Sequence, residues 1–387
     1  MIDREGIMDS QDRIGSIGRS GERNPGIDLL KAVAILFVIL LHTLGHGGIL
    51  NSTTPLTANY EISWGLESIA YCAVDAYIIT TGFLYAGRKP RTSSIVELWA
   101  EVFFYSALIP IVLTCIGPRI NRRVIFWGFF PILGAQYWFF NQYFLLFLLI
   151  PFLNRLSEDR QTHKKILLAG FLCLSVLPAL GRGDDLFATN NGYSAFWFFF
   201  LFLTGSYIKK HQEALPGIRK RPGIYYLILV SVMLISRNLL FQSVFNKIGF
   251  RPDWLYSYTS PLVYLSAVCF VMLFSGINIR SKGLASFLRK LVGLTFSVYL
   301  IHDNPHIRNL FIIDKFASYA EKPPLWMVGH ILATVVGVFV ICCVIDYLRS
   351  LLFKLLRVKQ AAAAVGSWTE EKWEALLNRF GIVSRAD

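Results

Sequence analysis

The chain has 387 residues, of which 54% are hydrophobic and 16% charged, with a formal net charge of +13 and a mean hydropathy of +0.49. Repeated apolar runs near the length that crosses a bilayer exclude an ordinary soluble domain and imply a polytopic membrane protein. The basic residues fall in short clusters between these runs and form no aromatic-laced basic surface, which excludes nucleic acid as the partner and assigns them to orientation and lipid headgroups.

Residues 1–25 are polar and lack the apolar core and cleavage pattern of a secretory signal, so they read as a cytoplasmic tail and the first apolar run as an uncleaved anchor. That run, GIDLLKAVAILFVILLHTLGHGG over 26–48, carries Asp28, Lys31 and His42. Lys31 and His42 are eleven residues apart, which on a helix is three turns plus about 20° and a rise of about 16 Å. Asp28 falls within roughly 40° of the same line, giving a polar stripe that must face protein or water instead of lipid. His42 is the candidate general base, because a neutral imidazole can take and return a proton near neutral pH. Asp28 is expected to hold Lys31 as an i,i+3 partner. Lys31 can snorkel to the boundary or meet a phosphate of a cytoplasmic ligand.

The second run, WGLESIAYCAVDAYIITTGFLYAG, buries Asp75 at mid-depth and ends in Thr80, Thr81 and Gly82, small groups that allow close helix packing. The loop after it holds Arg88, Lys89 and Arg91, either a positive-inside stop or the seat of a polyanion. The third run adds Glu97 and Glu101 on one helix side, with Glu101 the deeper. Residues 124–135, after Arg119, Arg122 and Arg123, are too short to span and contain Pro131, so they read as re-entrant or interfacial. The run YWFFNQYFLLFLLIPFLNRL joins Trp138 and other aromatics to Asn141 and Gln142, a wall suited to packing or to a sugar or pantetheine arm. Near 292–311, His302 and Asp303 precede Pro305 and read as a helix end or as chemistry.

The fold class is all-α, a polytopic integral membrane protein with about ten spans: 27–48, 64–86, 95–116, 137–154, 165–180, 194–208, 224–241, 260–278, 292–311 and 325–353. The even count and the loop charges place both termini in the cytoplasm. The membrane domain is 26–355 and the cytoplasmic tail 356–387. In that tail Ser367 with Glu370 fits a capping box and Gly381 a C-terminal stop for a short amphipathic helix. Cys72, Cys115, Cys173, Cys269, Cys342 and Cys343 lie in apolar runs without metal-ligand spacing, so neither disulfide nor metal site is expected.

Several blocks together resemble a known family. GIDLLKAVAILFVILLHT is similar to the first-helix signature of the bacterial acyltransferase 3 family, a basic residue, ten residues and a histidine. VDAYIITTGFLY resembles its second-span segment ending in Ser-Gly-Phe-Leu, and YWFFNQYFLLFLLIPFLN, NNGYSAFWFFFLFLTGSYIKKH and FSVYLIH resemble later blocks in the same order. The resemblance covers about 26–350 and is closest to the branch found in Gram-positive surface-polysaccharide loci. Two departures stand out: Lys31 replaces the usual arginine and keeps charge without the bidentate fork, and Thr81 replaces the serine.

The resemblance implies a multi-pass protein of the bacterial cytoplasmic membrane. Its implied activity is transfer of an acyl group, most often acetyl, from cytoplasmic acyl-CoA to a sugar hydroxyl of a surface glycan or lipid-linked precursor, with no tightly bound cofactor. On this reading Lys31, with Arg88, Lys89 or Arg91, holds the donor's phosphates, and His42 deprotonates the acceptor or relays the acyl group itself. Asn141, Gln142 or a backbone amide would stabilise the oxyanion, while Asp75, Glu101, Trp138 and His302 complete the substrate surroundings. The alternative is a carrier or flippase for a glycan precursor, in which the same polar stripe lines a path and no bond is made.

Overall fold

The computed structural model describes residues 23–117, 120–181, 184–211, 213, 215–237, 247 and 255–379, and every regular element among them is helical. Helix α1 (Pro25–Leu41) starts where Asn24 accepts the Gly26 amide at 2.9 Å and Pro25 occupies the first turn. It widens into a π turn over His42–His46, a local insertion that redirects side chains and is frequent at functional sites. Helices α2 (Ala58–Ala70) and α3 (Ala73–Tyr85) form one interrupted segment, followed by α4 (Thr92–Ile116), the short α5 (Arg122–Gly128), α6 (Trp138–Leu156) and α7 (Arg160–Phe171). Then come α8 (Ala195–Lys210), α9 (Pro222–Ser236), α10 (Pro261–Ser275), α11 (Lys282–Val292), α12 (Thr295–His302), α13 (Pro305–Phe311), α14 (Pro324–Leu355) and α15 (Val358–Arg379).

Seven segments among the described residues are long and apolar enough to cross a membrane: Pro25–His46, Ala58–Tyr85, Thr92–Ile116, Trp138–Leu156, Arg160–Leu180, Lys282–His302 and Pro324–Leu355. The other three expected spans fall on α8, α9 and α10, of 16, 15 and 15 residues. At 1.5 Å per residue these reach only about 22–24 Å, short of a ~30 Å hydrocarbon layer. Among the described residues seven segments thus reach spanning length, and Pro222–Ser236 and Pro261–Ser275 are shorter apolar helices. The expected span 292–311 is displaced as well. It ends at His302, because Asn304 accepts the His306 amide at 3.0 Å and Pro305 starts a new helix.

Residues 124–135 do not span. Gly128 offers its carbonyl to the Ser106 hydroxyl at 2.6 Å, which folds the segment back on α4 and leaves Phe126, Phe130 and Leu133 exposed. The C-terminal helix departs from the capping box. It starts at Val358, nine residues before Ser367, because four consecutive alanines favour helix. Ser367 instead donates to the carbonyls of Ala363 and Ala364, and Glu370 caps α4 by accepting the Thr92 amide at 3.2 Å. Gly381 lies outside the described residues.

The closest helix crossing joins α3 and α8. A methyl group added at Gly82 would overlap the Phe202 carbonyl, and one at Gly205 would overlap the Ile79 carbonyl. The backbones meet directly, as small residues permit in a membrane core. Trp197, Phe198 and Phe202 of α8 are fully buried around this crossing.

Candidate functional site

A cavity of about 340 Å³ lies where α1 finishes and where α6, α8 and α10 begin. Helix α1 supplies Ala34, Ile35, Val38 and Leu41, a stripe at helical spacing, and the π turn adds His42, Gly45 and His46. Aromatic rings of Tyr71, Trp138, Tyr193, Tyr258 and Tyr299 make up much of the rest, and Glu67, Asp303 and Arg308 bring charge.

Behind His42 runs a chain of hydrogen bonds that fixes tautomers. His302 Nδ1 is 2.6 Å from the Val298 carbonyl, which can only accept, so Nδ1 carries the proton. In the neutral ring Nε2 is then an acceptor, and it lies 3.1 Å from His42 Nδ1. His42 Nδ1 therefore donates, leaving His42 Nε2 with a free lone pair. Asp303 Oδ1 stands 3.8 Å from His42 Nδ1 and accepts Arg308 Nη1–H at 2.9 Å. The His46 ring is 4.9 Å from that of His42. Arg308 Nε is buried with no hydrogen-bond partner among the described residues. This constellation can accept a proton at His42 and offer a guanidinium to a developing negative charge.

Of the residues expected from sequence, the structure brings together His42, Trp138 and His302. Trp138 is on the cavity wall, whereas His302 is buried behind His42 and acts through it. The cavity stops at Ala34 and Ile35, one turn short of Lys31, so Lys31 and His42 do not share its wall. Asp28 does not hold Lys31 by an ion pair either. It takes two bonds from Arg23, at 2.7 and 3.0 Å. Arg88, Lys89 and Arg91 follow the C-terminal end of α3, and Asn154 fixes their loop by bonding Gly87 N and the carbonyls of Tyr85 and Arg88. Because α3 runs against α1, they share Lys31's end of the bundle, opposite the cavity.

Asp75 is fully buried and accepts Trp197 Nε1–H at 3.1 Å, off the cavity wall. Glu101 is likewise elsewhere, 3.2 Å from Arg349 and accepting Ser297 Oγ–H at 3.2 Å, while Arg349 pairs with Asp346 at 2.6 Å. Asn141 donates to the Ile132 carbonyl at 3.1 Å, and Gln142 is half-buried beside it, so neither amide lines the cavity. Arg308 takes the place by the histidine expected of them. Arg308, Glu67 and His46 escaped the sequence reading. Glu67 had a signal, an acid inside an apolar run, and His46 follows His42 by four residues.

Residues 24–347 match a family described as an acyltransferase domain. The chain belongs to the acyltransferase 3 family. No curated protein and no solved structure matches it. This member of the acyltransferase 3 family is a multi-pass membrane acyltransferase, and the matched region holds every residue of the cavity while leaving out α15.

Proposed function

We propose that the protein is an O-acyltransferase of the bacterial cytoplasmic membrane, moving an acetyl group from acetyl-CoA to a sugar hydroxyl of a surface glycan or its lipid-linked precursor. The observation that supports this most is the chain from the Val298 carbonyl through His302 to His42, which leaves His42 Nε2 as a base on the cavity wall. The acceptor hydroxyl gives its proton to Nε2 as its oxygen attacks the thioester carbon. Arg308 stabilises the oxyanion so formed, with Asp303 holding the guanidinium and offsetting the positive charge on His42. The carbon–sulfur bond then breaks and the leaving thiolate takes the proton from His42, which regenerates the base and releases coenzyme A.

The donor's phosphates are assigned to Lys31, Arg88, Lys89 and Arg91 at the opposite end, so its pantetheine arm must reach the cavity past Ala34 and Ile35. The rise of about 16 Å from Lys31 to His42 is comparable to that arm. Membranes carrying the protein, incubated with labelled acetyl-CoA, should place base-labile label on glycan. Label absent from glycan, with the protein present and folded, would remove the reading.

A further inference from the structure

The aromatic side of the cavity is ordered in a way that acyl transfer to just any hydroxyl does not need. Rings follow one another from Trp64 to Tyr256 (5.2 Å between centroids), Tyr71 (5.5 Å), Tyr258 (5.5 Å), Tyr193 (5.2 Å) and Trp138 (4.5 Å). The last four line the cavity. Polar anchors hold the row in place. Tyr71 donates its hydroxyl proton to the Tyr256 carbonyl, and Tyr256 Oη bonds Ser68 Oγ at 2.7 Å and the Met233 carbonyl at 3.1 Å. Rings fixed by their own hydroxyls present flat faces at little further ordering cost.

Glu67 sits within this wall, on the α2 face shared with Trp64 and Tyr71. It is 7% exposed, and its Oε2 accepts no hydrogen bond from any described residue. A buried acceptor without a donor is costly unless a ligand supplies one. Oε2 is an acceptor site left open, so a ligand that fills it brings an O–H or N–H group. Trp138, Tyr193 and Tyr258 precede or begin α6, α8 and α10, at the end of the bundle away from Lys31. The occupant thus presents a flat apolar face to the rings and hydroxyl donors at its edge, the chemistry of a pyranose.

Resting on the acyltransfer reading, we propose that Glu67 with Trp138, Tyr193 and Tyr258 forms the acceptor subsite. A sugar ring stacks on the aromatic faces, one hydroxyl donates to Glu67 Oε2, and another is turned toward His42 Nε2. Glu67 is thereby a specificity determinant for the ring's hydroxyl pattern.

The full-length protein in lipid nanodiscs, supplied with labelled acetyl-CoA and with the glycan-lipid fraction of the cells that make it, tests this. Glu67→Gln keeps shape and replaces one acceptor oxygen by an N–H donor. It should raise the half-saturating acceptor concentration about tenfold or more while that of acetyl-CoA stays within about twofold. Trp138→Ala should shift the acceptor value in the same sense. Wild-type acceptor dependence in both variants overturns the subsite, as does an equal loss toward donor and acceptor, which marks a general defect. Absence of transfer by the wild type overturns the acyltransfer reading itself and this assignment with it.

Discussion

His302 Nε2 lies 3.1 Å from His42 Nδ1, and the other nitrogen of His302 is committed to the Val298 carbonyl. The pairing orders two imidazoles so that the outer one faces the cavity as a base. His302→Ala should therefore lower kcat about 10-fold to 100-fold, with both KM values little changed, because the ring acts only through His42. Steady-state kinetics that show a KM effect alone would assign His302 to substrate instead.

Arg308 has a second partner to find. Its Nη1 is bound to Asp303, and its Nε is buried without one among the described residues. If that guanidinium meets the oxyanion, Arg308→Gln should lower kcat by about 100-fold and spare the affinity for acetyl-CoA, measured by direct binding. A loss of donor binding with kcat intact would place Arg308 on the phosphates.

Arg349 bridges Glu101 and Asp346 within the helices, at 3.2 and 2.6 Å, and Tyr105 donates to Asp346 at 2.8 Å. Removing Arg349 takes the ion pair from both buried carboxylates. Arg349→Met should destabilise the protein by about 3–5 kcal/mol in detergent unfolding. The triple variant Glu101→Gln, Arg349→Met, Asp346→Asn should recover much of that loss, since it removes the two buried negative charges along with the cation.

Gly205→Ala should cost about 1–3 kcal/mol, because its methyl would overlap the Ile79 carbonyl at the α3–α8 crossing. Gly329→Ala, where nothing lies within 4 Å of the added carbon, is the matched control and should leave thermal stability unchanged or raise it slightly.

The docking of α15 has a pH sign. Glu370 is held below the usual glutamate value of 4.5, chiefly by the hydrogen bond from Thr92. A lowered folded value means the contact contributes fully above 4.5 and is lost as pH falls through the lower folded value. Limited proteolysis should show α15 released at acid pH in the wild type. Glu370→Gln should abolish that pH dependence.

The apolar runs made the helical, membrane-embedded class legible, and the first-helix and TTGFLY blocks pointed to the family. Gly82 could be read as a packing residue because only a small group permits the crossing it makes. The site was legible where one helix carried it, as with His42. It was not legible where several helix ends converge, because linear spacing says nothing of which ends meet. Glu67 and Arg308 come from separate helices and Tyr193 and Tyr258 from the loops before two others. Buried pairing also redirected the charges. Asp28 went to Arg23, Asp75 to Trp197 and Glu101 to Arg349, each choice set by a partner distant in sequence or outside the run where the acid was noticed.

The central claim is that His42 moves the proton in acyl transfer. Its most direct test is the initial rate of labelled acetyl transfer from acetyl-CoA to glycan by matched membranes carrying wild type or His42→Ala. The variant should fall about 100-fold to 10,000-fold below wild type while still binding acetyl-CoA. A variant rate equal to wild type would contradict a catalytic His42.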